Sequence, residues 1–301
     1  MVDGARCQFV RPGTPLPLPP AARIFPGMSH SNLSVHPVTP VIGAEVRGVD
    51  LGRITDADFH AIRDALMAHC VLFFRSQDIS IESQKALGAR FGQLVAHPND
   101  PGVDGHPEVM PIHADENSVR ATGEQWHSDV SCDPRPPMGS ILRMHTVPGT
   151  GGDTLFSNMY AAYEALSERM RTLLDGLTAV HDGGPYYREV NRLIGRDDGG
   201  RAYPSAEHPV VRTHPVTGRK ALFVNQMFTQ YIVDLPPGES RAILGFLFEH
   251  VGRPDFQCRF RWRPDSVAMW DNRCTQHHAI WDYWPATRSG YRVTIRGEAP
   301  V

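Results

Sequence analysis

Long apolar runs are missing from this sequence. None approaches the roughly 20 residues of a helix that crosses a bilayer, which sets a membrane-spanning chain aside. Concentrated positive charge is missing too. Against 33 Asp and Glu stand 30 Lys and Arg, the formal net charge is −3, and no basic block occurs, so nothing points to nucleic acid. Cysteine is sparse and scattered. Cys7, Cys70, Cys132, Cys258 and Cys274 form no C-x-x-C pair and are odd in number. That pattern argues against a disulfide framework or a cysteine-based zinc site and favours a reducing cytoplasm. No internal repeat is found, and no apolar segment of the length a secretory signal needs.

What is present reads as an ordinary globular composition, 41% hydrophobic and 21% charged, in a chain long enough to bury a substantial core. Residues 1–30 form a Pro-rich extension, with Pro15, Pro17, Pro19 and Pro20 favouring polyproline II, and are expected to be poorly ordered. Residues 31–301 then make the domain. Short strands are expected at 33–37 and 44–46. A helix follows from Asp56 as N-cap to about Cys70, with Phe59, Ile62, Leu66 and Met67 as its stripe. Residues 71–74 read as a buried strand and 81–91 as a second helix. The longest helix is expected over 160–177, its face formed by Tyr163, Leu166, Met170, Leu173, Leu174 and Leu177 and turned to the core. Strands at 140–145, 210–213 and 221–225 and a helix at 238–251 follow. Phe256, Cys258, Phe260 and Trp262 alternate with polar residues as a half-buried strand does, and strands at 267–270 and 291–296 close the chain. Two stretches, 93–124 and 182–207, read as long loops, of the kind that serve active sites. The fold class is therefore mostly β with helices (α+β), a sandwich or jelly roll with helical decoration.

Chemistry enters at Trp126-His127-Ser128-Asp129. On an extended segment an H-x-D pair presents both side chains on one face, because side chains alternate with a period of two. That supplies one imidazole and one carboxylate. His277, in Thr275-Gln276-His277, is the candidate for the third group. Two histidines and one carboxylate with open positions make the facial triad of non-haem Fe(II) oxygenases.

The motifs around these residues carry a resemblance. Trp126-His127-Ser128-Asp129-Val130, Gly151-Gly152-Asp153-Thr154-Leu155, Ala161-Ala162-Tyr163-Glu164-Ala165-Leu166-Ser167, His208-Pro209-Val210-Val211-Arg212-Thr213-His214-Pro215 and Trp270-Asp271-Asn272-Arg273-Cys274-Thr275-Gln276-His277 occur in the order seen in the taurine dioxygenase (TauD/TfdA) family, which the chain resembles from about residue 33 to its end. The resemblance implies a double-stranded β-helix (jelly-roll) core with flanking helices. It also implies an Fe(II)-dependent dioxygenase that consumes 2-oxoglutarate and O2 and yields succinate and CO2. His127, Asp129 and His277 match the metal ligands, with His278 a neighbour out of phase. Thr154 and Arg288 match the positions that hold the far carboxylate of 2-oxoglutarate, a task for which a guanidinium suits. His97, Phe228 and Arg292 match positions that face the substrate. Where the taurine enzyme has further pocket residues, this chain has Asp100, Gly123 and Gly183, implying a wider and differently charged site.

The substrate expected is thus a small organic anion resembling a sulfonate or sulfate ester, hydroxylated with C–S or C–O cleavage to follow. A carboxylate or an amino-acid derivative is the alternative. More distant is a metal-binding jelly roll with no oxygenase activity; cupins, for instance, favour H-x-H with added Glu and His, which is not seen. The sequence leaves homo-oligomer formation open.

Overall fold

The computed structural model describes residues 32–301, so the extension expected over 1–30 lies outside the described residues. In chain order come β1 (Ser34–Pro37), β2 (Ala44–Arg47), α1 (Asp56–His69), β3 (Val71–Phe74), α2 (Ile81–Ala89), β4 (Val109–Ala114) and β5 (Gly139–Thr146). Next are β6 (Thr154–Asn158), α3 (Met159–Glu164), α4 (Glu168–Leu174), β7 (Thr178–Asp182), α5 (Gly184–Leu193), β8 (Ser205–Pro209), β9 (Val211–Thr213) and β10 (Lys220–Leu222). The chain ends with β11 (Thr229–Ile232), α6 (Pro237–Val251), β12 (Gln257–Phe260), β13 (Ser266–Asp271), β14 (Thr275–Ala279) and β15 (Arg288–Ile295). No helix among the described residues is long and apolar enough to cross a membrane.

A seven-stranded sheet in the order β1-β2-β3-β13-β5-β15-β4 forms the main wall, and a three-stranded sheet, β12-β6-β14, faces it. Together they make the jelly-roll core that the sequence led us to expect. Between the two sheets Phe73 of β3 stacks on Phe260 of β12 at 4.0 Å, and Phe156 of β6 meets both Phe73 and Trp270. The outer face of the main sheet is covered by α1 and α2, through Ile62, Leu66 and Leu87. This explains the unbroken apolar run of β3. Val71 and Phe73 enter the inter-sheet core while Leu72 and Phe74 enter the helix-covered one, so both faces of the strand are buried.

The structure departs from the sequence expectations in several places. Helix α1 is capped by Thr55 rather than Asp56, in a reciprocal arrangement with Asp58. The helix expected over 160–177 is two: α3 ends at Glu164 with Ala165 as its C-cap, and Ser167 caps α4 by accepting from Met170 N. Serine competes for backbone donors and so starts a new helix here. Leu173, expected in the core, is 51% exposed. The loop expected over 93–124 contains β4, whose Pro111 argues against a strand in the sequence. A proline is tolerated there because β4 is the edge of the sheet. The loop expected over 182–207 contains α5, where Pro185 occupies the first turn, the one helical place that needs no N–H from it.

Candidate active site

His127 and His277 are joined by one antiparallel bridge. His127 N donates to His277 O (3.1 Å) and His277 N to His127 O (2.9 Å). The H-x-D pair therefore lies at an isolated bridge and not on the regular extended segment the spacing implied. Asp129 opens a turn, and Val130 after it holds φ 45°, a left-handed conformation that a β-branched residue adopts only under constraint. The side chains nonetheless converge. Asp129 Oδ1 lies 3.8 Å from His127 Nε2 and 3.8 Å from His277 Nε2, and all three residues are buried. His278 points the other way, against Trp126.

The surroundings set the state of each group. The Gln125 carbonyl accepts from His127 Nδ1 at 2.7 Å, which leaves the Nε2 lone pair directed at the cluster. Burial pushes His127 and His277 down, so both imidazoles stay neutral. Burial opposes the charge of Asp129, but the Arg292 guanidinium, helped by the Ser140 hydroxyl, outweighs it and holds the carboxyl well below the usual carboxylate range. Ser140 Oγ donates to Asp129 Oδ2 (2.7 Å), and Asn272, itself held by Trp270 Nε1 (2.9 Å), accepts from Asp129 N (3.2 Å). Three buried donors of this kind, within 4.8 Å of one another, suit a divalent cation. A second group, His214, Asp271 and Cys274, does not. There His214 Nδ1 accepts from Val216 N and Thr217 N, and Arg273 occupies both oxygens of Asp271.

Beside the triad a small chamber of about 40 Å³ is lined by Thr154, Trp270, His277 and Arg288. Arg288 is buried, its Nε donates to Gly152 O (3.2 Å), and no carboxylate among the described residues pairs with it. Burial lowers its pKa. Thr154 Oγ1 accepts from Trp262 Nε1 (2.9 Å), so its own proton is free to be donated.

On the other side of His127 and Asp129 opens a cavity of about 610 Å³, whose lining includes His97, Asp100, Gly123, Phe228 and Arg292. His97 Nδ1 accepts from Asn99 N (3.2 Å), which places its proton on Nε2; burial, reinforced by Arg292, lowers its pKa to about 3. Arg292 is already compensated: Nη1 donates to Asp129 Oδ1 at 2.5 Å. Its partner is thus the triad carboxylate, a pairing the sequence did not suggest. Gly183 does not widen the cavity as expected. A Cβ there would meet the Tyr187 ring at 2.8 Å and Cys132 Sγ at 3.0 Å, so the glycine lets Tyr187 pack. Sequence reasoning also passed over Ser140, Tyr186 and Tyr187. Ser140 carries no local signal, whereas the tyrosines belong to the helical stripe of α5.

Two imidazoles and a carboxylate within a double-stranded β-helix, next to a guanidinium that has no ion-pair partner among the described residues, define a 2-oxoglutarate-dependent non-haem iron dioxygenase. The chain belongs to the taurine catabolism dioxygenase TauD, TfdA family, whose sequence model matches residues 34–294. It is 38% identical over 278 residues to the alpha-ketoglutarate-dependent sulfate ester dioxygenase of Pseudomonas putida, covering 89% of this chain and 91% of that protein. A taurine dioxygenase from Burkholderia xenovorans superposes with a TM-score of 0.77 at 40% identity, over 89% of this chain and 92% of its own. AAD-2 in complex with Mn(II) and N-oxalylglycine superposes with a TM-score of 0.73 at 28% identity, over 89% and 98%.

Proposed function

We propose that the enzyme hydroxylates a small organic anion, a sulfonate or a sulfate ester, using Fe(II), 2-oxoglutarate and O2 and releasing succinate and CO2. The observation that carries the reading is Arg288, a buried cation with no ion-pair partner among the described residues, beside the His127–Asp129–His277 group. Leaving such a charge uncompensated is costly, so the site is complete only with an anion in the chamber. The tail carboxylate of 2-oxoglutarate fits, received bidentately by the guanidinium and by the Thr154 hydroxyl.

His127 Nε2, Asp129 Oδ1 and His277 Nε2 would hold the iron. When bound, it supplies the activation of O2 that is coupled to decarboxylation of the cosubstrate. The protein's part is placement. Gln125 fixes the tautomer of His127, while Ser140 and Asn272 orient Asp129. His97 offers its Nε2 proton and Arg292 the Nε–H that Asp129 leaves without a partner to the substrate's acidic head, and Phe228 walls the cavity. Hydroxylation at a carbon bearing sulfate gives a product that collapses to an aldehyde and sulfate. The name of the Pseudomonas putida relative supports this class. An amino-acid derivative is the second reading, favoured by Asp100, whose carboxylate lines the same cavity and could meet an ammonium. A cytoplasmic location suits the four buried free thiols Cys70, Cys132, Cys258 and Cys274.

The test is a screen of sulfonates, sulfate esters, aryloxy acids and amino-acid derivatives by O2-dependent succinate formation with added Fe(II). Mn(II) binding to wild type and to Asp129→Ala is followed in parallel by equilibrium dialysis. Anion-stimulated succinate formation and loss of Mn(II) binding in the variant are expected. Unchanged Mn(II) binding in the variant would falsify the ligand assignment.

A further inference from the structure

Helix α5 carries an apolar stripe that, among the described residues, faces no protein core along its second half. Tyr186, Tyr187, Val190, Leu193 and Ile194 recur at helical spacing, and all five line the large cavity. The inner end is packed, with Tyr187 buried against Phe228 and edge-on to His97. The outer end is open: Leu193 and Ile194 are 40% and 48% exposed. Val119, 59% exposed, lines the same cavity from another segment. Apolar side chains left in water together, around the mouth of one cavity, mark a binding surface more than a chance of composition.

The cavity is therefore graded, with Arg292 and His97 at its inner end and aliphatic side chains at its mouth. We infer that the outer half of α5, together with Val119, is a second subsite, which receives the apolar tail of an amphiphilic anion whose head lies at Arg292 and His97. The inference rests on the proposed function and narrows its substrate class. Continuity supports this occupant, because one cavity joins the charged end to the apolar end. From Tyr187 to Ile194 the helix rises about 10 Å, room for an unbranched tail of roughly six to eight carbons. A compact, fully polar anion such as an aminoalkyl sulfonate would leave the stripe exposed.

The experiment measures kcat/KM of the full chain, loaded with Fe(II) and 2-oxoglutarate, across linear alkyl sulfates from butyl to decyl, by succinate formation. Burial of each methylene predicts a gain of about two- to fourfold per carbon until the mouth is passed. In the double variant Leu193→Ser, Ile194→Ser that gain should shrink toward none, mainly through KM. Val119→Ser, on a separate segment, should reduce it in the same direction. Both changes are at exposed positions, and circular dichroism checks the fold. A flat series in wild type, or an unchanged slope in both variants, overturns the subsite while leaving the oxygenase reading intact. Failure of every anion to stimulate succinate formation overturns that reading, and the subsite with it. A dimer by light scattering that the double variant abolishes, together with a flat series, would assign the stripe to a second copy of the chain and also overturn the proposal.

Discussion

Arg288 and Arg292 lie on the same strand, β15, and are both buried, yet among the described residues only Arg292 has an ion-pair partner. Arg292 is paired with Asp129, whereas Arg288 has a backbone carbonyl and the face of Trp262. The two substitutions to methionine should therefore act in opposite senses on chelator-treated protein. Arg292→Met leaves a buried carboxylate without its partner and should cost about 3–5 kcal/mol in urea unfolding. Arg288→Met removes a buried charge with no ion-pair partner among the described residues and should leave stability equal or higher. Arg288→Met should also weaken 2-oxoglutarate binding by about 2–5 kcal/mol in calorimetric titration, with Mn(II) affinity unchanged. A large loss of stability in Arg288→Met would mean that its charge has a partner in the fold. The candidate roles of both arginines were legible in the sequence. Their place on one strand was not, because the expected strand began only at residue 291, and neither was their unequal pairing, because Asp129 approaches Arg292 from a turn far away in the chain.

At the scale of elements, the strand that carries both arginines depends on Gly290. Its pairing with β5 shifts between Ser289 and Gly290, and a Cβ at 290 would come within 2.1 Å of the Arg143 carbonyl. That contact is with backbone, which cannot swing aside. Gly290→Ala should cost about 1–3 kcal/mol or more by overpacking and, by moving β15, should weaken 2-oxoglutarate binding as well. Denaturant unfolding and cosubstrate titration check the two effects separately, and a variant as stable as wild type would refute the close approach. The break between α3 and α4 gives a smaller test. Ser167→Ala removes the cap of α4 and should cost about 1 kcal/mol. Strands with clean alternation, such as β12, and buried runs, such as β3, were legible from their own residues. β4 was not, since its tolerance of Pro111 comes from being the last strand of the sheet, a fact of topology.

For the whole molecule, buried histidines couple stability to pH. His181 is held between the Ser131 and Thr229 hydroxyls, and burial lowers its pKa to about 3. Its unfolded value is about 6.5, so between these limits the unfolded chain binds a proton that the folded chain refuses. Stability from this group is complete above the unfolded value and falls as pH drops toward 3, by about 1.4 kcal/mol per pH unit within the window. Asp271, held well below the usual range by Arg273 and His214 against its burial, acts the same way lower down, losing its contribution as pH falls below the carboxylate range. Urea midpoints of chelator-treated protein should therefore fall from pH 7 to pH 4. His181→Gln, which keeps hydrogen-bonding capacity, should flatten that slope by about the amount stated. An equal slope in both proteins would place the titration elsewhere.

The sequence by itself determined the donor types of the site, the motif order that identifies the family, and the periodicities that make the two sheets, since these follow from each residue and its near neighbours. Tertiary structure decided what those residues meet. It set His127 against His277 across a single bridge, gave Asp129 to Arg292, and left Arg288 without an ion-pair partner among the described residues. It also turned the stripe of α5 to a cavity where the pattern alone reads as a core face or, beside Gly183 and Gly184, as a loop. The physical reason is that periodicity says which side of an element is apolar, whereas the register of distant strands decides whether protein, ligand or water lies opposite.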